Sequence, residues 1–110
     1  MIDWQRVDEL RDEIGADDFA EVVDLFLEEV AEVIVRLETA PAPASFEAEL
    51  HFLKGSALNL GFRKLGKLCA DGETLAASGA ADAVDIGAVI DAYKTSIKEF
   101  KAHLGLDQAA

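Results

Sequence analysis

The sequence has little of several features that define common classes of protein. Its single cysteine cannot form a disulfide within the chain, and no Cys/His cluster has the spacing of zinc ligands. No apolar run is long enough to span a membrane, and the first residues lack the basic start and apolar stretch of a signal peptide. These absences argue against a disulfide scaffold and a zinc protein, and they predict a cytoplasmic protein.

Basic residues are also scarce, which limits the possible partners. The chain has 10 lysines and arginines against 22 acidic residues, a formal net charge of −12. Nucleic acids and anionic membranes attract positive charge, so neither is expected as a partner. At 110 residues and 51% hydrophobic composition, the sequence predicts one globular domain over 1–110.

The few basic residues are not spread evenly. Residues 1–50 hold three basic and 15 acidic residues, and residues 71–110 hold three basic and seven acidic ones. Residues 51–70 hold four basic residues and no acidic one. This segment indicates either a site for an anionic group or a chance cluster on a solvated face, and charge alone leaves both interpretations open.

Apolar residues recur at three- and four-residue spacing, and no stretch alternates with a period of two, so we expect an all-α fold. Helices are predicted over about 3–14, 17–39, 45–60, 63–78 and 82–104. Asp3 and Ser45 are expected to cap the first and third helices, and Gly15 and Gly61 to end them. The short connections predict an antiparallel up-down four-helix bundle, with the short N-terminal helix capping one end.

The third predicted helix carries a histidine on its polar side. The apolar positions of this helix lie on the side roughly opposite His51, so the imidazole is expected to point away from the core. Lys54 and Gly55 follow at i+3 and i+4 and share its face. A lone histidine on a helix is otherwise more often a satisfied core residue.

The neighbours of His51 suit chemistry at its ring. A glycine inside a helix costs about 1 kcal/mol relative to alanine, and at Gly55 the compensation we expect is access for another protein's backbone. Lys54 disfavours a protonated ring and would stabilise negative charge that arrives on a ring nitrogen. Exposed Leu58, and Phe62 if the helical geometry continues that far, would add an apolar docking patch. Together these residues favour reversible phosphorylation of His51.

The run from His51 to Gly61, HFLKGSALNLG, resembles the HxLKGSxxxLG signature of histidine-containing phosphotransfer (HPt) domains of bacterial phosphorelays. The stretch 26–37 is similar to the second helix of that family. The L-x-x-L-C-x-x-x-E pattern that follows the signature is matched by Leu65, Leu68, Cys69 and Glu73. Gly72 departs from the larger apolar residue usual in the family, a change that could loosen or kink the fourth helix.

The resemblance implies that His51 takes a phosphoryl group on its outer ring nitrogen from a receiver aspartate or a kinase and passes it to another receiver aspartate. Lys54 matches the motif lysine near the phosphoryl group, and Gly55 the small residue that permits approach. The docking surface would comprise Leu58, Asn59, Phe62, Arg63, Lys64 and Lys67. Its basic members would complement the acidic, metal-binding pocket of a receiver.

The implied partners are response-regulator receiver domains or a hybrid sensor histidine kinase. Magnesium belongs to the partner's pocket, so no cofactor or metal is expected in this chain. The chain is expected to be a monomer and a phosphoryl carrier, not an enzyme.

Two other classes of function compete with this interpretation. A helical bundle that binds partners without being phosphorylated is possible, but the set of His51, Lys54 and Gly55 argues against it. An enzyme is the other class. A kinase dimerisation helix would carry an acidic residue after the histidine, where Phe52 stands here, and a carboxylate metal bundle would need Glu-x-x-His pairs that the sequence lacks.

Overall fold

The computed structural model describes residues 2–104. The elements assigned in that range are α-helices and short 3-10 turns, which confirms the all-α prediction. The helices are α1 (Trp4–Ile14), α2 (Ala16–Thr39), α3 (Phe46–Leu60), α4 (Arg63–Ala77) and α5 (Ile86–Leu104). Residues 1 and 105–110 of the predicted domain lie outside the described part. Within that part, none of the helices has both the length and the apolar character needed to cross a membrane.

Local signals in the sequence set several helix ends. The Asp3 side chain accepts a hydrogen bond from the backbone N–H of Arg6 at 3.3 Å and caps α1. Gly15 separates α1 from α2 with a φ of +99°, and Gly61 ends α3 in the left-handed conformation with a φ of +80°. Glycine adopts these angles without the steric penalty of a Cβ atom.

The predicted cap at Ser45 is wrong. A short 3-10 turn, Pro43–Ser45, continues directly into α3, and Ser45 has φ −97° and ψ −7°. A capping side chain reaches the free N–H groups from an extended backbone, and Ser45 is not extended. The backbone N–H of Phe46 bonds instead to the carbonyl oxygen of Pro43.

The last helix also begins later than residue 82. Ala81–Ala83 forms a separate 3-10 turn, and Val84 is extended, with φ −70° and ψ 127°. The Asp85 side chain then accepts a hydrogen bond from the backbone N–H of Ala88 at 3.0 Å, so Asp85 and not Asp82 supplies the cap of α5.

The helices enclose one core. α2 contacts α3 and α5, α4 contacts α3 and α5, and α1 packs on α2 and α3. The fully buried apolar side chains include Val7, Val23, Leu50, Leu53, Leu60, Phe62, Leu65, Val89 and Phe100. At one end of the core, the Trp4 ring stacks on Phe100 at 6.2 Å and lies 3.9 Å from the His103 ring, which ties α1 to α5.

Gly72 does not kink α4, which continues unbroken from Arg63 to Ala77. A Cβ atom on Gly72 would lie 2.8 Å from Cδ1 of Leu50 and 3.2 Å from Cγ1 of Val84. Because those distances are shorter than van der Waals contact, the glycine is what allows α4 to approach α3 this closely. This approach matters for the site because Leu50 and Gly72 are the sequence neighbours of His51 and Glu73.

Candidate functional site

α3 presents His51 to solvent. The side chain is 69% exposed, whereas Leu50 and Leu53 of the same helix are fully buried. The helical wheel predicts this orientation, and the structure agrees with it. The buried face of α3 holds the helix in place, and the opposite face leaves the histidine exposed. Such a histidine can contact a reactive group on another protein.

The structure brings a carboxylate from α4 to this histidine. Oε2 of Glu73 lies 2.8 Å from Nδ1 of His51, and Oε1 of the same carboxylate lies 2.6 Å from Nζ of Lys54. Glu73 therefore bridges the two residues of α3 that the sequence singles out. The three side chains form a network that we call the His51–Glu73–Lys54 triad.

The charge of Glu73 fixes the protonation pattern of the ring. The pKa of Glu73 is lowered, first by the hydrogen bond from Lys54 and then by the hydrogen bond from His51. An ionised carboxylate can only accept hydrogen bonds, so Nδ1 of His51 must carry the proton. In the neutral ring, Nε2 then keeps its lone pair, and this nitrogen is the nucleophilic one.

The carboxylate also changes the role expected for Lys54. From sequence, this lysine is expected to act on the ring through its positive charge. In the structure its charge is paired with Glu73, and the side chain is 30% exposed. The repulsion between Lys54 and a charged ring is therefore offset by the carboxylate that contacts both.

Glu73 was not predicted as a site residue, although it is the last member of the pattern that follows the signature. It lies 22 residues from His51, on a different helix. Helical periodicity relates residues three or four apart and carries no information about such a contact. The sequence signals for Glu73 were its place in that pattern and its position one turn after Cys69, which the structure shows to be buried in α4.

Cys69 itself is fully buried and takes no part in the network. Burial, with a smaller contribution from the charge of Glu73, raises the pKa of its thiol to about 12. The sulfur is therefore protonated at neutral pH and is not a nucleophile.

Open space adjoins His51 on the side of Gly55. A Cβ atom on Gly55 would meet no atom within 4 Å among those compared. Leu58, the next exposed apolar residue along α3, is 56% exposed, and its Cδ2 would lie 3.0 Å from a Cβ on Gly66. Gly55 and Leu58 thus border His51 as an accessible surface.

The prediction that Phe62 belongs to this surface is wrong, because Phe62 is only 1% exposed. The left-handed turn at Gly61 ends α3, and the chain then turns inward. The Phe62 ring packs edge-on against Phe100, with 5.2 Å between centroids. The prediction assumed that helical geometry continues beyond Leu60, which it does not.

The predicted basic residues lie on the surface at the start of α4. Arg63, Lys64 and Lys67 are exposed. Arg63 lies 3.6 Å from Asp3, and Lys67 lies 3.4 Å from Asp71. Such exposed pairs contribute little to stability and leave the cations available to a partner.

Asn59 is also exposed, and its backbone carbonyl accepts a hydrogen bond from Nε of Arg6 at 3.2 Å. This bond links α1 to the end of α3. Among residues 2–104, no three histidine, cysteine, aspartate or glutamate side chains are grouped as metal ligands would be.

An exposed histidine on a helical bundle, with a fixed tautomer and an accessible face, defines a candidate phosphotransfer module. The family model for the Hpt domain matches residues 21–103, and the chain belongs to this family. Hpt domains are carriers of histidine phosphotransfer in phosphorelays and interact with receiver domains and kinases. No curated protein and no solved structure gives a significant match.

Proposed function

We propose that this protein is a reversible phosphoryl carrier in which Nε2 of His51 receives the phosphoryl group from a receiver aspartate or a kinase. It then passes the group to the aspartate of a response regulator. The observation that carries the proposal is the exposed His51 ring, whose Nδ1–H is held by Glu73 so that the nucleophilic Nε2 is left free. In this scheme the donor is a receiver or kinase domain, the acceptor is a receiver domain, and the chain itself acts as the carrier between them.

The transfer follows from the protonation pattern. The Nε2 lone pair attacks the phosphorus of an aspartyl phosphate, the bond from phosphorus to the carboxylate oxygen breaks, and the carboxylate leaves with the electron pair. The ring becomes a phosphoimidazolium with its proton on Nδ1, facing Glu73. The reverse step returns the P–N electron pair to Nε2 and delivers the phosphoryl group to a new carboxylate.

The remaining residues of the surface have supporting roles. Lys54 is proposed to stabilise the charge of the phosphoryl group, and Gly55 to let a partner backbone approach. Leu58, Asn59, Arg63, Lys64 and Lys67 are proposed to contact the receiver. Magnesium is assigned to the acidic pocket of the partner, and no cofactor is assigned to this chain.

The scaffold that we propose for the carrier is an up-down bundle of α2 to α5, with α1 covering one end. Two contacts between α3 and α4 support an antiparallel arrangement of these helices. His51, in the first half of α3, contacts Glu73 in the second half of α4, and Leu58, near the end of α3, lies close to Gly66 near the start of α4. The Glu38–Lys94 ion pair likewise joins the end of α2 to the middle of α5. A single domain, a monomeric state and a cytoplasmic location belong to the same proposal.

The direct test is the intact mass of the protein after incubation with phosphoramidate, a small phosphoryl donor. We expect one added phosphoryl group on the wild type, labile in acid, and none on His51→Asn. His51 is exposed, so the substitution should leave the fold unchanged, and circular dichroism of the variant checks this.

A second donor makes the result decisive. A receiver domain phosphorylated with acetyl phosphate is expected to transfer its group to the wild type and not to His51→Asn. If folded wild type takes a phosphoryl group from neither donor, the carrier function is wrong, and a bundle that only docks partners becomes the better description.

A further inference from the structure

A groove runs between α2 and α3 beside the candidate site. It is lined on α2 by Glu29, Glu32 and the buried Val33, and on α3 by Ala48 and Phe52. Phe52 directly follows His51 in the sequence and is 37% exposed. The groove, which we call the α2–α3 groove, therefore adjoins the exposed histidine.

This groove and α4 lie on opposite sides of His51. Lys54 faces α4, where it pairs with Glu73. On a helix of 3.6 residues per turn, Lys54 lies about 60° from His51 in one direction, and Phe52 lies about 100° from it in the other. The basic residues proposed for docking begin α4, so they border one side of the histidine and the α2–α3 groove borders the other.

The carboxylates of the groove have no ion-pair partner within the described part of the chain. Among residues 2–104, the ion pairs involve neither Glu29 nor Glu32. Arg36 also lines the groove, one turn after Glu32, yet its Nε lies 3.3 Å from Oε2 of Glu49, whose side chain is only 13% exposed. Arg36 is thus already paired, and Glu29 and Glu32 give the groove a negative charge.

Apolar side chains accompany this charge. A neighbouring depression on α2 is lined by Val22, Leu25 and Phe26 together with Glu29, so Glu29 belongs to both surfaces. Leu25 is exposed, as is Phe52 across the groove. Exposed apolar groups beside unpaired carboxylates fit a partner segment that carries both apolar and basic side chains.

We propose that the α2–α3 groove determines which receiver the carrier accepts, by binding an arginine or lysine side chain of that receiver. The cation would lie over the Phe52 ring, between the carboxylates of Glu29 and Glu32. The inference rests on the proposed function, because it names a feature of the receiver that docks at His51.

The opposite charges on the two sides of His51 fix the orientation of the partner. A receiver that turns its acidic pocket to the start of α4 and a basic side chain to the groove meets opposite charge on both sides. The same receiver turned by half a circle meets like charge on both sides, which costs binding energy. A receiver without the basic side chain leaves Glu29 and Glu32 unpaired in the complex.

The test reverses two charges in the groove and, as a matched control, two charges elsewhere on α2. The groove variant is Glu29→Lys with Glu32→Lys. The control, Glu21→Lys with Asp24→Lys, changes the net charge equally at exposed positions with the same three-residue spacing, and neither residue lines the groove. Urea unfolding checks that both variants are folded.

The probe is a receiver domain from the same genome, phosphorylated with acetyl phosphate and chosen as the fastest donor to the wild type. In rapid-quench assays, transfer to the groove variant should be slower by at least about tenfold, because like charges then face each other. The control should stay within about threefold of wild type, because its charges lie outside the contact. Phe52→Leu, which keeps an apolar side chain without the ring, should be slower by about threefold.

Two further readouts separate recognition of a cation from a structural effect. At an ionic strength of about 0.5 M the difference between wild type and the groove variant should shrink, whereas a packing defect would persist. Changing each exposed arginine and lysine of the receiver to glutamate in turn should yield one receiver that is slow with wild type and faster with the groove variant.

Each outcome decides between the claims. If the wild type accepts the phosphoryl group and the groove variant accepts it as fast as the control does, the role of the groove is wrong and the carrier function stands. If sedimentation shows that the wild type self-associates and the groove variant does not, the groove binds a second copy of the chain and the proposal is overturned. If the wild type takes a phosphoryl group from neither phosphoramidate nor any phosphorylated receiver, the carrier function itself fails.

Discussion

At the scale of single residues, the site depends on what surrounds one imidazole. His51 is exposed, yet its ring is not free, because Glu73 fixes the position of its proton. Gly55, one turn along α3, has no side chain and has open space around the position of a Cβ atom. The nitrogen that we propose to react is thus selected by one neighbour, and we propose that access to it depends on the absence of a side chain at Gly55.

The proposed role of Gly55 predicts separate effects on folding and on docking. Gly55→Gln should stabilise the protein by roughly 0.5–1 kcal/mol, because glutamine favours the helix and meets no neighbour. Transfer from a phosphorylated receiver should fall by at least about tenfold, since every 1.4 kcal/mol of lost docking energy is a factor of ten. Urea unfolding and rapid-quench transfer assays measure the two quantities.

Phosphoramidate loading is the internal control for this variant. The small donor needs no protein surface, so Gly55→Gln should load like wild type. Receiver transfer at the wild-type rate would show that a partner backbone does not need the space beside Gly55.

At the scale of secondary structure elements, the triad depends on how closely α3 and α4 pack. Gly72 faces Leu50 and Val84 at distances that leave no room for a methyl group. Because Leu50 precedes His51 and Gly72 precedes Glu73, the same close approach brings the carboxylate to the ring. A position that departs from the family pattern therefore supports the geometry of the site.

This packing predicts opposite effects for two alanine substitutions in helices. Gly72→Ala should destabilise the protein by about 1–2 kcal/mol, since overpacking of a filled core outweighs the gain in helix propensity. Gly55→Ala is the matched control and should stabilise it by about 1 kcal/mol. Denaturant unfolding of both variants provides the comparison, and equal stabilisation by both would show that α3 and α4 can separate without cost.

At the scale of the whole molecule, the distribution of charge is expected to direct association. The chain carries a net charge of −12, yet residues 51–70, which contain His51 and the basic residues proposed for docking, have four basic residues and no acidic one. A receiver pocket is acidic, so the molecule as a whole repels such a partner while this segment attracts it. Attraction by a small basic surface within an acidic protein should favour one docking orientation.

Salt screens both the attraction of the partner by this segment and its repulsion by the rest of the chain. Raising the ionic strength from about 0.02 M to about 0.5 M should therefore lower the second-order rate constant of transfer more for wild type than for a variant that has lost a cation of this segment. Lys67→Glu should weaken this dependence. Lys98→Glu, which changes an exposed lysine on α5, should leave it nearly unchanged, and the same salt dependence in all three proteins would contradict the docking role of the basic segment.

Much of the fold was predictable because its signals are local. Helical periodicity indicated the all-α class, Asp3 and Gly61 marked helix ends, and the wheel of α3 placed His51 on the polar face. The errors were also local. Ser45 lies in a 3-10 turn, and Phe62 follows a left-handed glycine that turns it into the core.

The sequence by itself determined which residues share the polar face of α3: His51 points outward, and Lys54 and Gly55 lie beside it. These relations follow from the fixed geometry of one helix. Only the tertiary structure decided that Glu73 contacts both His51 and Lys54, because that contact joins two helices whose separation depends on the packing at Gly72. The exposure of the histidine is thus a property of its helix, whereas the ring nitrogen that faces the carboxylate is selected by the fold.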